Sequence, residues 1–208
     1  MNNLWRIGQF LLLMVVLTSC SGAQMNLKEK EKILNWDTLE VYWNKYIVMD
    51  SLKAANDLYN YLIERLDIDS GDSGKAETVH NRMYNSLFVL HQRIKAHDSN
   101  AVNISFALLT IADGAFMEDL TTDIGDLIII DPGMFLTQFK KHKYLIQNPK
   151  SILIPQIEDY DEDRDKARKK EEEEIIKRID ALKSVKIPDL NSLRDECIRI
   201  LEKWIKEY

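Results

Sequence analysis

The chain has 208 residues, a formal net charge of −6 and 45% hydrophobic residues, enough for one domain with its own core. The acidic balance argues against a nucleic-acid partner, since a phosphate backbone would be repelled and no basic patch interleaved with aromatics is present. Only two cysteines occur, Cys20 and Cys197.

The first segment carries a positive start at Arg6 and an uninterrupted apolar run from Phe10 to Leu17. That run is shorter than the roughly 20 apolar residues a bilayer span needs, so it fits a cleaved export signal. Leu17-Thr18-Ser19-Cys20 then resembles the lipobox of bacterial lipoproteins. The resemblance implies acylation of Cys20 and cleavage just before it. It divides the chain into a signal peptide at 1–19, a lipidated tether at 20–26 and a single helical domain at 27–208. The implied partner is a membrane, gripped through acyl chains at about 0.8 kcal/mol per buried CH₂. Ser21 after the cysteine implies, by the same resemblance, the outer membrane, with the periplasmic face as the default. An acylated Cys20 leaves Cys197 with no partner for an intramolecular disulfide.

Apolar residues at steps of three and four predict an all-α domain of about seven helices, an irregular bundle or a short α-α hairpin array. An aromatic-rich helix or broken helix pair is expected from Lys28 to Met49, with Asp37 and Glu40 as a capping pair at a second start. Asp50 or Ser51 caps the next helix, with a stripe of Leu52, Ala55, Tyr59, Leu62 and Leu66. After the polar loop Asp67 to Gly74, a third helix carries Val79, Met83, Leu87, Leu90 and Ile94 and ends near His97. Asp98, Ser99 or Asn100 opens an apolar helix through Ile104, Leu108, Leu109 and Ile111, expected at the centre of the domain. A break near Gly114 precedes a helix through Phe116, Leu120, Ile124 and Leu127. The run Leu127 to Ile130 fits a buried strand equally well. Asp131-Pro132 reads as N-cap and first residue of a helix holding Met134, Phe135 and Phe139. Lys143 to Pro155 is expected to be irregular. The charge run Asp159 to Glu174 reads as a solvated helix face leading into Ile175, Ile179 and Leu182. Pro188 precedes a last helix with Leu190, Leu193, Cys197, Ile200, Leu201 and Trp204 on one side. The stretch 101–141 loosely resembles all-helical envelope lipoproteins, a resemblance that carries no catalytic residue.

Several strings come close to known chemistry and fail on context. Gly71-Asp72-Ser73-Gly74 matches the nucleophile string of chymotrypsin-like proteases, yet no matching histidine motif accompanies Ser73. As a phosphate loop the same stretch lacks the first Gly and the Ser or Thr after Lys75. Asp67, Asp69 and Asp72 offer oxygens for calcium, but an EF-hand's later Gly and Glu positions hold Asp72 and Thr78. Glu77 and His80 form one E-x-x-H where a di-iron bundle needs two, and His91 lies about 16 Å further along a helix. The histidines therefore read as polar-face or locally bonded residues. Cys197 reads as a small core residue. The aromatics Trp36, Tyr42, Trp43, Tyr46, Tyr59 and Tyr61 read as fillers between neighbouring helices.

No catalytic residue, cofactor or metal is expected. The leading functional expectation is a membrane-anchored, non-enzymatic module that binds an envelope protein or peptide. The alternatives are a periplasmic immunity-type inhibitor of a toxin and a hydrolase or metal enzyme. The ordered signal gives a direct prediction: cells fed a fatty-acid analogue label this protein, and Cys20→Ala abolishes both label and membrane retention. Unlabelled wild type removes the lipoprotein reading.

Overall fold

A computed structural model describes residues 33–64, 67–68, 73–156 and 164–207. The segments expected to be signal peptide (1–19) and tether (20–26, with Cys20), and Leu66, Asp69 and Asp72, lie outside the described residues, and Asp67 and Ser73 are described in backbone only. The fold is all-α. In chain order the helices are α1 Trp36–Met49, α2 Leu52–Glu64, α3 Ser73–Asn85, α4 Leu87–Lys95, α5 Ser99–Leu108, α6 Gly114–Ile130, α7 Pro132–His142, α8 Lys150–Leu153, α9 Arg164–Ser184 and α10 Asn191–Glu207. A two-residue parallel bridge joins Ile33–Leu34 to Asp67–Ile68.

Among the described residues there are ten α-helices where about seven are expected, the additions including the separation of α3 from α4 at Ser86 and a turn of helix within the segment expected to be irregular. The Ser86 hydroxyl bonds back to the Arg82 and Met83 carbonyls and accepts from Trp43 Nε1 at 2.8 Å, a local competitor for the helical ladder. In the segment 143–155, Leu145, Ile152 and Leu153 are buried, so tertiary packing folds a stretch that its prolines punctuate. Partners distant in sequence pack together, α1 on α3, α2 on α5, α5 on α7 and α6 on α9. That is an irregular bundle and not an array whose units touch only their neighbours.

Capping places most of the ends. Asn35 begins α1 by accepting from the Thr38 amide at 2.9 Å, so Asp37 and Glu40 are not a capping pair. They instead face α3, paired with Lys75 and Arg82 respectively. Ser51 caps α2, Asp98 caps α5, and Asp131 caps α7 by accepting from the Met134 amide at 2.9 Å. The core face of α2 is turned from the expected stripe: Ala54, Ala55, Leu58, Tyr61 and Leu62 are buried while Leu52 is exposed. The stripe Val79, Met83, Leu87, Leu90 and Ile94 is buried throughout, across the break at Ser86. Leu127 to Ile130 is helical, with its first two residues in the core and its last two exposed. On α10, Leu193, Cys197 and Leu201 are buried, whereas Ile200 and Trp204 are only half-buried at its edge.

Helices α6, α8 and α9 meet at one buried cation. Arg178 on α9 is 3% exposed, and its guanidinium donates to the carbonyls of Ile152 and Leu153 at 3.0 and 2.9 Å. Asp126 of α6 stands 3.4 Å from the same group. The meeting requires Gly125: a Cβ there would lie 2.6 Å from the Ile152 carbonyl and 2.9 Å from the guanidinium. Gly125→Ala is therefore expected to lower unfolding free energy by about 1–3 kcal/mol. Gly74→Ala, where a Cβ meets nothing within 4 Å, serves as the neutral control. Urea midpoints of the two variants check this, and equal midpoints contradict the close approach.

Candidate functional site

Three histidines align with three aspartates along the seam between the α3/α4 pair and α6. His80 faces Asp113 at the start of α6 (3.4 Å), His91 bonds Asp123 in its middle, and His97 faces Asp131 at its end (3.3 Å). His97 takes a left-handed backbone at φ 62°, closing α4 with bonds from its own amide to Ile94 and from Asp98 to Arg93. Thus the histidines named in the sequence bind separate partners across the seam. Glu77 is exposed and joins none of them.

Where α3 gives way to α4, the seam opens into a groove of about 420 Å³ lined by Tyr84, Asn85, Leu87, Phe88 and His91 from one side and Asp119, Thr122 and Asp123 from the other. Two facing rows build it. Tyr84, Phe88 and His91 follow at steps of four and three, and face Asp119 and Asp123, four residues apart on α6. Phe88 is 66% exposed, an unusual place for a ring that finds no cover within the chain's described part. Tyr84 packs edge-on against Phe116 with centroids 6.4 Å apart, leaving its hydroxyl toward Asp119. Asp119 raises the Tyr84 phenol above its ordinary value because a phenolate beside that carboxylate is disfavoured. Asp123 is almost wholly buried, and burial raises its carboxyl, with His91 pulling the other way. Among the described residues no group of three His, Cys, Asp or Glu side chains converges for a metal.

The remaining chemistry is spent on structure. Cys197 is buried, and desolvation pushes its thiol up to about 12, so the thiolate needed for nucleophilic attack is scarce. His142, which sequence reasoning did not single out, is fully buried and stacked on Phe106 at 5.1 Å. Its Nδ1 donates to the Gln138 carbonyl at 2.8 Å, leaving Nε2 to accept from the Tyr59 hydroxyl at 2.9 Å. The aromatic residues of α1 and α2 divide as fillers: Trp36, Trp43, Tyr46 and Tyr61 are buried, Tyr42 and Tyr59 half-buried. A second exposed apolar patch, Val48, Met49 and Leu52, marks the α1–α2 turn but has no carboxylate or histidine row beside it of the kind found in the groove.

No family model, curated protein or solved structure matches the chain. Among the described residues no helix is long and apolar enough to cross a membrane.

Burial lowers His142 from 6.5 to about 4, so the unfolded chain holds this proton more tightly than the folded one. The stability it contributes is complete above pH 6.5 and is lost as pH falls toward 4, by roughly 3 kcal/mol. His142→Gln is expected to be destabilised at neutral pH, with its gap to wild type narrowing across that window. A gap independent of pH in denaturant titrations contradicts a buried neutral imidazole.

Proposed function

We propose that the protein is a lipid-anchored, non-enzymatic binding module of the bacterial envelope, held at the outer membrane through Cys20 and using the α4/α6 groove to hold a protein or peptide. The observation that carries this reading is the groove itself, where an exposed phenyl ring lies beside a row of carboxylates on a rigid helical frame. Exposed rings of this kind supply apolar contact area at low entropic cost, and carboxylates supply orientation and selectivity. The lipobox-like Leu17-Thr18-Ser19-Cys20 supports the envelope placement. The acid-base alternative draws on a different observation, the raised Asp123 carboxyl beside His91. Its requirement is substrate turnover that Asp123→Asn abolishes.

Crosslinking in native membranes followed by identification of the captured protein tests the module. Phe88→Ala and Asp119→Asn are expected to reduce capture at least about fivefold, while Cys197→Ala and Ser73→Ala leave it unchanged. Capture that survives both groove substitutions rules out the groove as the binding surface. A toxin as the captured partner turns the module into an immunity-type inhibitor.

A further inference from the structure

The groove's charge is one-sided. Asp119 and Asp123 contribute carboxylate oxygens, Tyr84 and Thr122 hydroxyls, Asn85 an amide and His91 a ring already bonded to Asp123, and among the described residues no Lys or Arg lines the space. Glu118 lies close enough to act electrostatically on Tyr84 and adds to the negative field along α6, whereas Asp126 stands beside Arg178 on the rear of the helix. The Arg and Lys groups around this end of the fold are occupied elsewhere: Arg82 with Glu40 at 2.6 Å, Arg93 with Asp50 at 3.1 Å and Arg178 with the α8 carbonyls. A neutral sugar would leave the exposed Asp119 charge unmatched, whereas this lining favours a ligand that brings donors and positive charge. The aromatic rim fits the same ligand, because the faces of Phe88 and Tyr84 attract cations.

We propose, on the basis of the binding-module reading above, that the groove takes a basic segment of a partner protein, with an Arg or Lys side chain seated against the Asp119 carboxylate and the Phe88 ring. Arginine suits it better than lysine. Its planar guanidinium stacks on a ring and donates in a fork to a carboxylate at the same time. The exposed Asp119 is the contact that confers charge selectivity. Asp123, already bonded to His91, lines the groove behind it.

The test uses the purified full chain and a blocked peptide of alternating arginine and alanine, followed by ¹⁵N–¹H correlation spectra. Beside it run the same peptide with citrulline for arginine, which keeps the shape and removes the charge, and cellobiose. The expected result is saturable shifts centred on Phe88, His91 and Asp119 with the arginine peptide, and affinity at least about tenfold weaker for citrulline. Asp119→Asn and Phe88→Ala, both at exposed positions, should each weaken the arginine peptide to a similar degree while keeping the thermal midpoint. Equal binding of the citrulline peptide, shifts confined to cellobiose, or no shifts at millimolar arginine peptide overturns the proposal. If the groove variants still lose partner capture in membranes while the arginine peptide does not bind, the basic-segment inference falls and the binding-module reading stands. If arginine binds but capture is indifferent to the groove, the reverse holds.

Discussion

Helix α6 can serve as the spine of this fold because one of its residues has no side chain. At Gly125 the Ile152 carbonyl and the Arg178 guanidinium approach so closely that any Cβ would force backbone apart. The buried cation then ties three elements together, giving the last carbonyls of the short helix α8 a donor and standing beside Asp126 on α6. Burying a guanidinium is costly, and these bonds offset the desolvation. With its rear fixed in this way, α6 offers its other flank to α3 and α4, where Asp113, Asp123 and Asp131 meet three histidines in turn. The groove opens on that flank because Ser86 interrupts the helix opposite. Packing at the back and a break at the front therefore decide where a ligand surface can exist.

Much of the fold was legible in the chain. The period of Val79, Met83, Leu87, Leu90 and Ile94 marks a face that is buried in every member, Asp131 caps its helix as expected, and Asp98, one of three candidates with Ser99 and Asn100, caps α5. Local signals of this kind survive because the same atoms decide them in a peptide and in a protein. The α2 stripe was misplaced by a fraction of a turn, since Ala54 and Leu58 carry the buried face and Leu52 does not. Leu127 to Ile130 was undecidable by composition, and its continuity with the amphipathic turn before it made it helix. The segment around Pro149 was read as irregular because its helical turn depends on the distant Arg178, a contact no local pattern announces.

The site was less legible, for a related reason. Cys197, Glu77 and His80 stand out as reactive residue types, but among the described residues nothing assembles them. The groove consists of ordinary residues whose meaning lies in facing rows. A signal exists: Tyr84, Phe88 and His91 recur at steps of four and three and Asp119 and Asp123 at a step of four, and each row lies beside an apolar stripe. What sequence could not supply was that the two rows face one another across a seam, which depends on how α4 and α6 pack.

The surface that meets a partner separates this view from its strongest structural rival, the apolar α1–α2 turn, where Val48 is 81% exposed. A photoreactive amino acid placed singly at residue 88 or residue 48 in cells decides between them. Capture of one defined protein from position 88, lost when Asp119→Asn is added, is the predicted result. Capture from position 48 with none from position 88 would contradict the groove as the working face of the molecule.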